Sequence, residues 1–293
     1  MIWIYLAFIA QILSGAVILL DKFLVSSRAI SNPTVYTIFV GLLSGVVIVV
    51  FPLVTYPTVN IVGLSFVIAF TYIFSIFFLY KSLKISDASD VAPVMGAVSA
   101  VATFGFSLVI LGDALPSRFF VSFVFLVVGT LIMSHFRFSS RSVLYVVIAG
   151  VLFGLSSVYV KKMFLGTDFL TGFFWSRMAN VVGALALLAW PSNFKAFLVT
   201  IKESSFNTKF LVVANKALAG TAFWLILVAI KLGEVSLVNA MAGMQFIFVL
   251  IFAFIFTKKL PRYFSEKVTE KNIFLHKFVS TALIVIGFFL LFI

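Results

Sequence analysis

The 293-residue chain contains no cysteine, which excludes disulfides, thiolate metal sites and cysteine nucleophiles and leaves the redox compartment unmarked. Charge is nearly as scarce. Only 10% of the residues are Asp, Glu, Lys or Arg, against about 25% in soluble proteins. The two histidines, His135 and His276, stand far apart, and no HExxH, P-loop or dinucleotide fingerprint occurs. With no catalytic constellation, the chain reads as a non-enzyme that needs neither metal nor cofactor. The acids Asp21, Asp87, Asp90, Asp113, Asp168, Glu203, Glu234, Glu266 and Glu270 all fall at the ends of apolar runs or between them. Proton-coupled exporters of organic cations need a buried carboxylate, so that mechanism finds no obvious residue.

What is present is apolar. Hydrophobic residues make up 63% of the chain, more than a water-soluble fold can hide. A lipid-spanning helix needs about 20 apolar residues in a row. Runs between polar breaks predict ten spans, near 2–24, 33–55, 60–83, 88–111, 119–136, 142–163, 169–190, 209–232, 235–256 and 273–293. The expected class is an all-α integral membrane protein. The first run lacks the basic start of a cleavable signal and is read as a retained helix. A net charge of +12 suits a membrane orientation signal better than nucleic acid, because the bases sit in short loops.

The two halves, 1–137 and 142–293, align with each other. Gly15 precedes Lys22 by seven residues, as Gly154 precedes Lys161. The segment Ser82-Leu83-Lys84-Ile85-Ser86 matches Ala229-Ile230-Lys231-Leu232-Gly233, Leu115-Pro116 matches Leu260-Pro261, and Val127-Val128-Gly129 matches Val285-Ile286-Gly287. Five spans per half is an odd number, so the second half enters the membrane from the opposite face. Such inverted repeats characterise secondary transporters and imply a half-turn about an axis in the membrane plane.

The same residues carry a family resemblance. The paired Gly-to-Lys spacings and the Leu-Lys-Ile-Ser and Ile-Lys-Leu-Gly junctions resemble the drug/metabolite transporter superfamily, EamA type. That resemblance covers essentially the whole chain and implies a basket of two five-helix halves around a central cavity, with the fifth and tenth helices outside the transport core. The second helix of such a half often carries an arginine; it is present as Arg177 and replaced near Val40 in the first half.

Sorted by loop, four bases, Arg118, Lys161, Lys162 and Lys231, fall on the face of Met1 and fifteen on the other. The positive-inside rule then makes both termini non-cytoplasmic, in a multi-pass protein of the cell membrane.

Two bases lie within spans: Arg177 near the centre of the seventh and Lys216 inside the eighth. A cation at the bilayer centre costs ~2.5–3.5 kcal/mol, so it faces a wet cavity or a partner. With no central acid in view, the anionic group of a substrate is the expected partner, and both side chains are expected in one cavity. The bland alternative has Arg177 bonded to helix carbonyls and Lys216 snorkelling toward Lys209. Asn180 shares a helical face with Arg177. Asn215, Asn239 and Gln245 are further polar candidates, each equally explained as an interhelical bond. Trp175, Trp224, Tyr72 and Tyr80 are cavity candidates because their polar tips need a partner, whereas Trp3 and Trp190 suit an interfacial belt. Gly96 with Ala100, and Ala219 with Gly220 and Phe223, form small faces suited to close packing. Asp87 and Asp90 fit a helix cap at the fourth span. The expected function is transport of a small polar metabolite, an amino acid or other carboxylate-bearing solute, by alternating access. The alternative is a lipid or glycolipid translocase. Membrane lipid and a small-molecule substrate are the expected partners, a homodimer is compatible with the chain, and nucleic acid is not expected.

Overall fold

The computed structural model describes residues 2–26, 30, 32–86, 88–112, 115–133, 139–257 and 271–292. The expected cap at Asp87, His135 and the connection 258–270 lie outside these residues, as does the side chain of His276. Among the described residues there is no strand; the chain is all helix and connections, as the absence of any water to satisfy an open sheet edge in lipid requires. Among the described residues, six helices are long and apolar enough to cross a membrane, or seven if one bent pair counts as a span.

The first half comprises α1 (Ile2–Ser26), α2 (Pro33–Leu43) continued by a 3₁₀ stretch Ser44–Leu53, α3 (Val59–Ile85), α4 (Ala88–Ile110) and α5 (Ser117–Met133). The second comprises α6 (Ser140–Gly166), α7 (Phe169–Leu188), α8 (Pro191–Glu203), α9 (Phe206–Leu232), α10 (Val235–Ala240), α11 (Ala242–Thr257) and α12 (Lys271–Phe289). Pro33 and Pro191 open their helices at positions where the missing N–H costs nothing, and the Asn32 side chain caps α2 by accepting from the Thr34 amide at 3.0 Å.

Two expectations are corrected. The segment after the seventh span is a helix rather than a loop: α8 leaves α7 at a 102° bend, buries no residue, and presents Phe194, Leu198 and Ile201 beside Lys195 and Lys202. The ninth run is broken at Met241 into α10 and α11.

Helix directions follow from the contacts. Hydrogen bonds at three levels tie α3 to α6: Ser156 Oγ donates to Ile68 O at 3.5 Å, Ser75 Oγ donates to Ala149 O at 2.8 Å, and the Ser82 and Ser142 hydroxyls meet at 2.6 Å. Positions rise by seven along α3 and fall by seven along α6, so the helices run antiparallel. At the end of α1, Lys22 Nζ donates to Leu83 O at 2.8 Å and Ser86 O at 2.7 Å, at the end of α3, so α1 and α3 run parallel. Hence α1 and α6 point opposite ways.

Glycines set the closest approaches. A Cβ on Gly15 would lie 2.9 Å from Phe248 Cβ on α11, and one on Gly154 2.8 Å from Ser99 O on α4. On α5 and α12 the contact is reciprocal: Gly129 receives Ile284, and Gly287 receives Leu126, each at 2.9 Å from a would-be Cβ. Gly96 takes the Phe246 ring in the same way. The face of Ala219 and Gly220 behaves otherwise: nothing lies within 4 Å of a Cβ on Gly220, and both residues border a cavity instead of a helix.

Candidate functional site

Two adjoining cavities occupy the space between the halves. The smaller, about 190 Å³, is lined from α1 by Gln11, Ser14 and Asp21, from α3 by Tyr72 and Tyr80, and from α9 to α11 by Lys216, Asn239 and Gln245. The larger, about 520 Å³, is lined by Arg177, Lys216, Tyr72, Phe223 and Trp224 among apolar neighbours. Val40, Tyr72, Lys216, Ala219 and Phe223 line both.

Asp21 overturns the reading that every acid sits at a span end, and with it the expectation that Lys216 lacks an acidic partner. Lys22 turns outward to the α3 terminus, while Asp21, one residue earlier and so about 100° around the helix, turns inward and is only 5% exposed. Its Oδ1 accepts from Lys216 Nζ, Tyr36 OH and Asn215 Nδ2, each at 2.6 Å. Among the described residues, its Oδ2 meets only Tyr80 OH, at 3.4 Å. The ammonium also lies 3.2 Å from Tyr80 OH and 4.5 Å from the centre of the Tyr36 ring. Snorkelling toward Lys209 is thereby excluded. Taking two charges out of water is expensive, and only a short, multiply bonded geometry of this kind offsets it.

Arg177 is 5% exposed and lies between two rings, 5.0 Å from Tyr72 and 4.6 Å from Phe223. Cation–π attraction compensates part of its desolvation. Its Nε and Nη2 remain buried without a hydrogen-bond partner, as do both amide atoms of Asn180, one turn further along α7. Bonding of Arg177 to helix carbonyls therefore does not occur through Nε or Nη2. Groups so placed cost about 1–3 kcal/mol each unless something occupies them, more when charged.

The other candidates divide. Asn239 and Gln245 line the smaller cavity, but each also makes an interhelical bond, to Thr103 Oγ1 at 2.6 Å and Ser14 O at 3.3 Å. Asn180 borders neither cavity. Trp175 does not line them either; its Nε1 donates to Thr55 O at 3.2 Å. Trp224 borders the larger cavity and is 43% exposed.

The chain matches no family model and no curated protein. One solved crystal structure of a protein matches 98% of this chain and 95% of its own at TM-score 0.67, with 15% identity. At that identity the likeness extends to the fold alone.

Outside the cavities, Lys161 repeats the behaviour of Lys22. Its Nζ donates to Ile230 O at 2.9 Å and Gly233 O at 2.9 Å, at the end of α9. Leu83 and Ile230, and Ser86 and Gly233, are the positions paired by the internal alignment. The backbone closes alike at both, Ser86 N donating to Ser82 O at 2.9 Å and Gly233 N to Ala229 O at 2.8 Å. Lysines near helix C-termini satisfy the orphan carbonyls there.

Proposed function

We propose that the chain is a secondary transporter of the drug/metabolite type, resembling EamA members, which moves a small solute with an anionic group across the cell membrane by alternating access. The carrying observation is Arg177: a permanently charged guanidinium on a cavity wall between the halves, with no acidic partner among the described residues and two of its nitrogens, Nε and Nη2, buried without a hydrogen-bond partner. A carboxylate of a substrate entering the larger cavity would pair with this charge where Arg177 lines the wall.

Ten spans arranged as two inverted five-helix repeats are the scaffold of this reading. Support comes from the opposed directions of α1 and α6, the twin lysine caps, and the reciprocal Gly129–Ile284 and Gly287–Leu126 contacts. Moving back along α5 corresponds there to moving forward along α12, the pattern of an antiparallel crossing. Two pseudo-equivalent halves supply two states of similar energy that open to opposite sides. On the positive-inside tally both termini face away from the cytoplasm.

One observation favours a second reading, a lipid or glycolipid translocase. Exposed Val46 and Trp224 edge the larger cavity and leave it a lateral path toward lipid tails, with Arg177 placed for a phosphate. Purified protein in liposomes separates the two. Flux of radiolabelled carboxylate solutes above empty vesicles is expected; scrambling of labelled lipid without solute flux would replace transport of solute by transport of lipid.

A further inference from the structure

The internal alignment sets the Asp21 network against its counterpart at the other end of the cavities. The Gly-to-Lys motifs place Val160 opposite Asp21. The junction segments place Ala69 opposite Lys216, Ile68 opposite Asn215 and Leu227 opposite Tyr80. The Arg177–Val40 pairing places Phe173 opposite Tyr36. Every counterpart is apolar, and Val160, Ala69, Ile68 and Leu227 are buried. One end of the bundle is thus held by an ionisable network and the other by hydrocarbon packing.

That network crosses between the halves, Asp21 belonging to α1 and Lys216 to α9. Opening that end requires the two to separate. In a medium of low dielectric an isolated carboxylate is far more costly than a protonated one, so the pair parts most readily when Asp21 carries a proton. Resting on the transport reading, we infer that Asp21 is a proton-binding site that couples proton movement to transport. A proton from the aqueous phase bonds to a carboxylate oxygen of Asp21; Lys216 stays an ammonium and turns to the anionic group of the solute in the larger cavity, which it already lines with Arg177. Empty, the cavity walls hold Asp21⁻, Lys216⁺ and Arg177⁺; loaded, they hold neutral Asp21, both cations and one anion. The buried charge is the same in both states, so both reorient at similar electrostatic cost. The proton leaves Asp21 when the solute departs and Lys216 returns. One proton accompanies each anionic charge in the same direction.

Tyr36 on α2, Tyr80 and Tyr72 on α3, and Lys216 on α9 are the titratable side chains facing the Asp21 carboxylate, with Arg177 on α7 bordering the adjoining cavity. Among the described lining residues, α4 and α11 contribute uncharged groups, including Ser99 and Gln245. Lys22 on α1 is engaged at the α3 terminus.

The absence of cysteine makes the test direct. Ala219→Cys places one thiol on a wall shared by both cavities. The full-length protein is reconstituted, and labelling by a membrane-impermeant maleimide is followed from each side across pH, corrected for the thiolate fraction with a free-thiol standard. The corrected rate from the Asp21 end is expected to rise by about tenfold per unit fall in pH until it saturates, as the protonated fraction does. Asp21→Glu should keep a pH dependence. Asp21→Asn should label fast at every pH, and Asp21→Asn/Lys216→Gln, which leaves neither member of the pair as a lone charge, should do the same if the single variant folds poorly. Labelling from both sides with no pH dependence in the parent overturns the proton site while leaving alternating access standing. A pH dependence that survives in both neutral variants overturns it as well. Labelling from one side only, under all conditions, removes alternating access and the coupling with it.

Discussion

Asp21 Oδ1 and Lys216 Nζ, 195 positions apart in the chain, meet at 2.6 Å and join the first helix of one half to α9 of the other. The internal alignment of the sequence sets Val160 against Asp21 and Ala69 against Lys216, so neither charge has a charged counterpart in the other half.

Removing one partner leaves the other buried and unpaired, which costs about 3–5 kcal/mol, whereas replacing both by apolar groups of similar size is close to neutral. Asp21→Asn is therefore expected to lower the unfolding midpoint in detergent sharply. Asp21→Leu/Lys216→Met should recover most of that loss, and a double variant no more stable than the single would show that the pair is not the stabilising unit.

The twin lysine caps carry their own expectation. Hydrogen bonds from charged donors contribute about 1.5–3 kcal/mol, so Lys22→Met and Lys161→Met should each loosen the end of one helix, α3 or α9 respectively. Hydrogen exchange read on peptides ending at Ser86 and at Gly233 checks this. Each variant should raise exchange at its own junction and leave the other unchanged.

Close approach at Gly154 leaves no room for a methyl, since its Cβ would sit 2.8 Å from the Ser99 carbonyl and 2.9 Å from Thr103 N. Gly154→Ala is expected to cost about 1–3 kcal/mol through displacement of α6 from α4. Gly63→Ala, with nothing within 4 Å, should have no such cost and serves as the control in the same thermal melt.

Much of this was legible in the sequence, and the exceptions have physical reasons. Gly15, Gly154, Lys22 and Lys161 stood out in the sequence, and the position of each demands that residue type, with glycine required where helices touch and lysine where a helix end needs donors. Asp21 was missed because the adjacent pair Asp21-Lys22 reads as the polar end of a span. The helix instead continues through Phe23, Leu24 and Val25 to Ser26, so that Asp21 lies inside it. Two signals pointed there: the apolar residues after the pair, and the need of Lys216 for a partner. Tyr36 escaped notice because nothing in the order of residues brings α2 beside α9. The helix α8 was hidden by its opening Pro191-Ser192-Asn193, which signals a turn as readily as the first turn of a helix.

Transport of an anionic solute through the Arg177 cavity is tested most directly by uptake into proteoliposomes, comparing the parent protein with Arg177→Gln and Arg177→Lys over a panel of radiolabelled carboxylates. Saturable uptake of at least one solute is expected in the parent. It should be lost in Arg177→Gln despite unchanged insertion and melting, and recovered only in part by Arg177→Lys, whose point charge lacks the bidentate fork. Equal uptake by the parent and Arg177→Gln would contradict the account.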